Sequence, residues 1–584
     1  MCSAQSRTAH LESTRRLVIA LSLFITQAFG ATYYVSSSSG SDSNTGTSIT
    51  TPWKTISKVD TKVLVPGDFV LFKAGDTWIG SNFSKTLSTP SAGISGKQIT
   101  YGSYGSGAAP ILDGNNSVGT AVRISRNYIT INGFQIRNVT GVLIDYTGTT
   151  GTNILNIAGK NAGVWGYRAG SGAGNTLIDH TSCSVDSGHS MRGWCYQAVG
   201  TGSIKLTHNT CDFSLTNTGA CMEIFGSSTS VIQYNTAHGG SQAFSLKPMG
   251  GSLHTDGTGC TGPAQTGGLI ADNYADGISS ANGDGEAIEL TGCSNFPQRG
   301  VTVTRNVVIC KGGGAGHGTI DAIGSFYSTN GVITGNVIIG DCGAYPDTAP
   351  NLMHLSSYSS GMLVYNNTLY GSGRSDQIAV NLMSGSSVTV KNNIIGKVGV
   401  GIYNQGSSAS SEDYNIYMAN VRTPYSRVSA GGHSKRATDP KFMVASPVGA
   451  SDVKVQATSP AIRAGANLGS SFSSILNPLG VVSPFGIFDQ SLGWMVGAFG
   501  YAVPAATPTF IPPGGAYSSA QSVSILDSSV GATIYYTTNG TTPTISSSVY
   551  RGPIAVSATT TIKALAVGGA LSASGVGSAT YTIQ

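Results

Sequence analysis

Short alternating apolar runs recur through the middle of the chain, separated by Gly, Asn and Ser, and no long stretch follows the 3.6-residue period of a helix. Each unit contains an apolar residue, two others and then Asn: LTHN (206–209), IQYN (232–235), IADN (270–273), VTRN (303–306), ITGN (333–336), VYNN (364–367) and VKNN (390–393). Successive asparagines are 26, 38, 33, 30, 31 and 26 residues apart. Repeats of this variable length predict the coils of a parallel β-solenoid, because stacking buries apolar faces that one coil cannot bury.

Two columns of residues are expected to run along this solenoid. The repeated asparagines predict a structural ladder at one turn, since Asn ladders satisfy backbone groups and tolerate turn geometry. After each Asn comes an apolar–X–apolar triplet, and strand alternation turns X outward. The predicted outward residues are Glu223, Ser245, Glu289, Asp321, His354, Asn381 and Tyr403.

The outward column is rich in charge for a chain in which only 10% of residues are charged. Neighbouring coils stack about 4.8 Å apart, so Glu289 and Asp321 are expected side by side. Lys247 is two residues after Ser245 and shares its face. Because like charges on neighbouring strands repel, we expect compensation by Lys247, by a bound cation or by a raised carboxylate pKa.

This constellation favours chemistry on acidic sugars. A Ca²⁺ ion takes six to eight oxygen ligands, and the candidate ligands are Glu223, Asp284, Glu286, Glu289 and Asp321. The ion would acidify the proton at C5 of a uronate, and a base would remove it before β-elimination. Lys247 is the first candidate for the base and His354 the second. We therefore expect a calcium-assisted polysaccharide lyase.

Two alternatives stay open at this point. The same carboxylates fit a glycoside hydrolase, which uses a pair of Asp or Glu side chains. Outward polar residues on a solenoid are also often only a solvated face, so a non-catalytic glycan-binding, adhesin-like protein is the third possibility.

The ends of the chain differ from the repeats. Residues 1–30 are typical of a secretory signal peptide, with Arg15 and Arg16 before an apolar run, so we expect a secreted protein with no membrane attachment after cleavage. Residues 31–115 are expected to form an N-terminal cap and residues 116–500 the β-helix, with 438–500 closing it. After a linker at 501–507, residues 508–584 predict a small β-sandwich.

Net charge and cysteine content indicate which binding partners and which disulfides to expect. The net charge is +5 and no basic patch stands out, so nucleic acid is not an expected partner, and we expect a monomer acting on a polysaccharide. Eight of the nine cysteines lie between Cys183 and Cys342, and an even number in an exported protein favours disulfides. Pairing of near neighbours predicts 183–195, 211–221, 260–293 and 310–342.

Three stretches resemble known families. ATYYVSSSSGSDSNTG with PGDFVLFKAGDTW, together with the repeats and DPKF…SPAIRAG, resembles secreted pectate-lyase-like proteins, which implies an all-β, right-handed parallel β-helix over residues 31–500. PPGGAYSSAQSVSI and GATIYYTTNGTTPT resemble the C-terminal domain of chitobiase and β-hexosaminidase. CKGGGAGHGTIDAIGS (310–325) and DGEAI (284–288) resemble polygalacturonase-type hydrolases, which implies catalytic positions for Glu286 and His317.

Overall fold

The fold is known from a computed structural model of the chain. It describes residues 30–80, 86–200, 202–215, 219–226, 229–249, 260–262, 265–278, 286–310, 321–342, 350–356, 358–406, 409–456, 458–469, 472, 494–498, 505–529, 532–567 and 574–584. Three long sheets dominate these residues, and every strand pair in them is parallel. The predicted all-β parallel β-helix is confirmed.

Sheet I contains 17 strands and includes the short strands Gln298–Arg299 and Ser328–Thr329. Its other strands are Thr32–Val35, Phe69–Lys73, Ile99–Tyr104, Ile129–Asn132, Asn153–Leu155, Thr176–Asp179, Ile204–Thr207, Ser230–Gln233, Leu269–Ala271, Thr302–Thr304, Val332–Thr334, Ser360–Tyr365, Ser387–Lys391, Ser411–Asp413 and Ser429–Ala430.

Sheets II and III contain 13 strands each. Sheet II consists of Thr77–Ile79, Ile111–Asp113, Gln135–Val139, Ala158–Ala162, Ser182–Ser184, Thr210–Phe213, Thr236–Gly239, Tyr274–Asp276, Val307–Cys310, Val337–Gly340, Thr368–Tyr370, Ile394–Gly396 and Ile416–Tyr417. Sheet III consists of Leu87–Ser88, Thr120–Arg123, Val142–Asp145, Trp165–Ala173, Trp194–Gly200, Ala220–Phe225, Phe244–Lys247, Glu286–Thr291, Asp321–Phe326, Asn351–Leu355, Ile378–Leu382, Val400–Asn404 and Thr423–Ser426.

Each coil passes from sheet I through an Asn turn to sheet II and then to sheet III. The ladder asparagines are buried, and each one's backbone N–H donates to the side-chain oxygen of the next; the series is Asn209, Asn235, Asn273, Asn306, Asn336, Asn367, Asn393 and Asn415. The repeat pattern missed Asn415 because Glu412 replaces the apolar residue of its unit. The ladder is therefore structural, as predicted.

The four predicted disulfides are all present: Cys183–Cys195, Cys211–Cys221, Cys260–Cys293 and Cys310–Cys342. The long interval before Glu289 is confirmed as an insertion, because strand Phe244–Lys247 pairs directly with strand Glu286–Thr291. The Cys260–Cys293 bridge ties this insertion to the segment that follows the strand containing Glu289.

The segment expected to close the solenoid lies along its side. Phe442, Val455, Trp494 and Val496 pack into one cluster with outward residues of sheet II such as Ile339. Outward positions of sheet II are apolar at these coils, so the segment buries them. This packing covers sheet II and leaves a different face for chemistry.

Two short helices and a C-terminal unit complete the described structure. The helices are Ile56–Asp60, capped by Thr55, and the 3₁₀ helix Ala450–Val453. The C-terminal strands form a three-stranded sheet (Thr509–Ile511, Gln521–Leu526, Ile554–Val556) and a five-stranded sheet (Gly515–Tyr517, Thr533–Thr537, Ser548–Val549, Thr560–Val567, Gly577–Ile583). They share their own core, which confirms the β-sandwich. Within the described residues, no helix combines the length and apolar character required to cross a bilayer.

Candidate functional site

The outward face of sheet III follows a simple rule. In strand Glu286–Thr291, Ala287 and Ile288 both belong to the central core. Two successive inward residues break the strict alternation of a strand and place the residues on both sides of them, Glu286 and Glu289, on the outer face. The rule recurs from coil to coil and gives the outward pairs Ala220/Glu223, Gln242/Ser245, Glu286/Glu289, Asp321/Gly324, Asn351/His354 and Ile378/Asn381.

The register corrects one prediction. Glu289 is paired with Gly324, while Asp321 is paired with Glu286 and with Asn351. Asp321 therefore lies in the column of Glu286, which is three residues before the column of Glu289 along each strand. The expected side-by-side placement of Asp321 and Glu289 is wrong. In the sequence IDAIGS, Asp321 is flanked by two apolar residues and therefore fits the triplet pattern. The inward residues of this strand are nevertheless Ala322 and Ile323. Glu223, Ser245, Glu289, His354, Asn381 and Tyr403 do share the predicted column.

Lys247 lies between two carboxylates. Its strand is flanked by the strands that contain Glu223 and Glu289. The ammonium nitrogen is 2.8 Å from Oε1 of Glu223 and 3.0 Å from Oε2 of Glu289, and no more than 5% of any of the three side chains is exposed. Burial disfavours the ammonium ion, but the charges of Glu289 and Glu223 outweigh it and raise the pKa of Lys247 above its usual value. Lys247 is thus held as a cation.

Glu289 is held by further donors. The side-chain amide of Gln242 and the hydroxyl of Thr291 each donate to its carboxylate, and the Ser245 hydroxyl is 3.5 Å from Oε2. Burial raises the pKa of Glu223, although Lys247 opposes this effect. Glu223, Lys247 and Glu289 therefore form a closed ion-paired group, which fixes the floor of the site.

Asp321 is the centre of a second group. Its Oδ1 accepts a hydrogen bond of 3.0 Å from the Asn351 amide, and its Oδ2 is 3.0 Å from Nδ1 of His354. Burial would lower the pKa of His354, but the Asp321 carboxylate raises it above its usual value. Among the described residues, Nε2 of His354 has no hydrogen-bond partner. At 18% exposure, His354 is more accessible than Lys247, Glu223, Glu289 or Asp321. The Asp321–His354 pair can hold or transfer a proton.

Glycine at position 324 makes room for Glu286. A Cβ atom on Gly324 would lie 2.9 Å from Cγ of Glu286 and 3.1 Å from the ring of Phe326. Gly324 lies between Glu289 and His354 in the outward column. The side chain of Glu286 therefore extends across the Gly324 position. The structure thus brings Glu286 and Asp321 together on paired positions of adjacent strands, with His354 one strand further on.

The described residues do not test the calcium prediction. Asp284 and His317 lie outside the described residues. Of the other candidate ligands, Glu223 and Glu289 bind Lys247, and Asp321 binds His354 and Asn351. Among the described side chains, the group with three ligand atoms within 4.8 Å of one another is Asp179, His180 and His208, in a different part of the coil. The described carboxylates of the site do not form a ready calcium cage, and calcium stays a prediction.

The sequence interpretation missed Gln242, Thr291, Asn351 and Gly324. A signal for two of them is present, since polar residues occur three positions before the outward X residue in four successive coils: Gln242, Glu286, Asp321 and Asn351. Gly324 had no signal of its own, because its role is to leave space.

Parts of the chain are similar to known proteins in sequence. Residues 512–579 match the chitobiase/β-hexosaminidase C-terminal domain family. A lacto-N-biosidase of Bifidobacterium longum subsp. longum is 36% identical over 99 residues, which are 16% of this chain and 6% of that protein. The chain thus spans only a small part of the curated relative that it matches.

Solved structures of similar fold include a family 136 lacto-N-biosidase from Eubacterium ramulus, with a TM-score of 0.35 and 14% identity over 69% of this chain and 67% of that one. A pectate lyase has a TM-score of 0.33 and 15% identity over 80% of this chain and 96% of that one. An alginate lyase from Paenibacillus sp. has a TM-score of 0.32 and 13% identity over 53% of this chain and 91% of that one. Superpositions of this quality assign no activity to the chain.

Proposed function

We propose that this chain is a glycan-cleaving enzyme with its active site on the outer face of sheet III, around Glu286, Asp321 and His354. The C-terminal match is to a domain named for chitobiase and β-hexosaminidase, and the matched curated protein is a lacto-N-biosidase. These names belong to enzymes that act on glycans, and they support a glycan as the substrate. The buried carboxylates of sheet III supply the chemistry.

Hydrolysis is the reaction that this geometry supports best. The observation that carries this proposal is the position of Lys247, within 3.0 Å of two carboxylates and with a raised pKa. A lysine acts as a base only after losing its proton, which these charges oppose. With Lys247 engaged, Glu286 and Asp321 remain as two carboxyl groups on register-paired positions.

The roles of the two carboxyl groups follow from their surroundings. In glycoside hydrolysis one carboxyl group protonates the departing glycosidic oxygen, and the other serves as base or nucleophile at the anomeric carbon. Asp321 accepts from Asn351 and contacts the His354 ring, which suits the second role. Glu286 lies across Gly324, beside Asp321, and is assigned the first role. Water supplies the hydroxyl group and proton that the products gain.

Substitution of these two residues tests the proposal. Glu286→Gln and Asp321→Asn are expected to lower kcat by about 10²–10⁴-fold, which is the usual contribution of a positioned acid or base. Circular dichroism of both variants separates this loss from a loss of folding. Asp376→Asn is a matched control, because Asp376 is an exposed partner of Arg374 two residues before the sheet III strand Ile378–Leu382. Full activity in both site variants would reject the assignment.

The second candidate is β-elimination on a uronate-containing glycan, with His354 as the base. It is favoured by the unpartnered Nε2 of His354. Carboxylate oxygens are ligands that Ca²⁺ prefers, and Glu286 and Asp321 lie on paired positions of adjacent strands. Glu286, Asp321 and Asp284 would then supply oxygen ligands to Ca²⁺. Activity that disappears on chelation and returns with calcium would support this candidate over hydrolysis.

A further inference from the structure

Two tryptophans continue the outer face of sheet III away from the carboxylates. In strand Trp165–Ala173, Tyr167 belongs to the core, and in strand Trp194–Gly200 the inward pair is Cys195 and Tyr196. Trp165 and Trp194 therefore point outward, and the pairing of Tyr167 with Tyr196 puts them on adjacent positions. Both are half-buried.

The tryptophans lie in the same column as Glu286. Register pairs Trp194 with Ala220. The pairs Met222–Phe244 and Phe244–Ile288, continued two residues back along each strand, put Gln242 and Glu286 on the same line. Trp194 is thus three strands from Glu286, roughly 14 Å at about 4.8 Å per strand. One straight line along the solenoid axis joins the aromatic pair to the site.

The residues beside the tryptophans are polar and have unused donors. Arg168 and Gln197 occupy the neighbouring column, in line with Glu223 and Glu289. The guanidinium carbon of Arg168 is 4.1 Å from the centroid of the Trp165 ring. Nε of Arg168 and the indole nitrogens of Trp165 and Trp194 are buried and have no hydrogen-bond partner within the described structure. Because these three nitrogen atoms are inaccessible, the exposed ring surfaces of the two half-buried tryptophans are the part of this patch that a ligand can contact.

We propose that Trp165, Trp194 and Arg168 form a remote binding subsite for a pyranose unit of the glycan chain. The apolar C–H face of a sugar ring packs against an aromatic ring, and the polar side chains of Arg168 and Gln197 lie beside the tryptophans, in line with the hydroxyl groups at the edge of such a ring. The glycan then runs along sheet III, with one part on the tryptophans and the scissile bond at Glu286. This proposal rests on the proposed function only for the direction of the chain, since binding does not require cleavage.

Affinity electrophoresis of the full chain tests the subsite. The parent is Glu286→Gln, and the probes are polygalacturonate, alginate, arabinoxylan and a soluble β-glucan, each cast into a native gel. The double variant Trp165→Ala/Trp194→Ala is expected to raise the Kd for the polymer that retards the parent by about tenfold or more. Trp194→Phe, which keeps an aromatic face, should retain most of the affinity.

The control removes an aromatic ring elsewhere. Tyr234 is also half-buried but occupies the turn between sheets I and II at φ 59°, where Asn is tolerated, so Tyr234→Asn should bind like the parent. Unchanged retardation of the double variant, or no retardation of the parent by any of the four polymers, overturns the subsite. Tryptophan-dependent binding without turnover by the native chain would instead reject the hydrolase and leave the subsite standing.

Discussion

At the scale of single residues, the most informative side chain is Lys247. A buried lysine between two buried carboxylates is stable only as a complete group, because each charge is removed from water and depends on the others. The arrangement explains how an otherwise weakly charged chain tolerates Glu223 and Glu289 on the two coils that flank Lys247. Lys247 is the first candidate base of the sequence analysis, and its protonation state depends on partners that only the fold brings together.

Removal of this lysine is expected to destabilise the β-helix. Lys247→Met keeps the length of the side chain but leaves two buried carboxylates without their cation, which typically costs about 3–5 kcal/mol. Equilibrium urea unfolding followed by circular dichroism measures the change. Lys205→Met, at an exposed position of sheet I, is the control and should alter stability by less than about 0.5 kcal/mol. A loss below about 1 kcal/mol in Lys247→Met would contradict the account.

The Asp321–His354 pair predicts a pH dependence of stability. The folded-state pKa of His354 is raised by Asp321. The stabilisation is therefore fully present below the unfolded pKa of about 6.5 and is lost as pH rises through the raised folded value. His354→Gln is expected to lower Tm more at about pH 5.5 than at about pH 9.

A histidine on the surface provides the comparison for this measurement. His433 also pairs with an aspartate, Asp413, but its side chain is 60% exposed. His433→Gln should therefore change Tm little at either pH, because exposed ion pairs contribute little. An equal loss of Tm in His354→Gln at both pH values would show that the buried pair does not titrate as described.

At the scale of the element, the sequence predicted where the coils lie, but it only partly predicted which residues of each strand point outward. The spacing of an apolar residue, two others and then Asn identified the coils and the ladder, and the pairing of near-neighbour cysteines identified the four disulfides. The predicted outward column is wrong at Asp321, because a strand with two successive inward residues does not alternate strictly. A glycine at the outward position then removed the polar signal that marks the column elsewhere. Local spacing specifies the coil, whereas register depends on the neighbouring strands.

The ladder is expected to be the element most sensitive to single substitutions. Asn306 donates from its backbone to Asn336, and from its side chain to Ile270 and Asn336, while its oxygen accepts from Asn273. Asn306→Ala leaves several buried groups without partners, at a cost of at least about 2 kcal/mol. Urea unfolding provides the measurement. Asn127→Ala, at an exposed asparagine with one backbone contact, should be nearly neutral, and equal effects of the two variants would refute the ladder's role.

At the scale of the whole molecule, the three faces of the solenoid differ. The described apolar residues between Phe442 and Ala498 pack against apolar outward residues of sheet II. Sheet III instead presents a sequence of outward residues that runs from Trp165 and Trp194 to Glu286, Asp321 and His354. Aromatic and titratable side chains are thus arranged along one axis, which suits a long polymer better than a small ligand.

The measurement that tests the central claim most directly is product analysis with the same four polysaccharides, with and without a calcium chelator. New reducing ends are followed together with ultraviolet absorbance, because elimination creates a C=C bond conjugated to a carboxylate and hydrolysis does not. The account predicts reducing ends without absorbance, insensitive to chelation and lost in Glu286→Gln. Calcium-dependent absorbance that disappears in His354→Gln would contradict it and establish elimination.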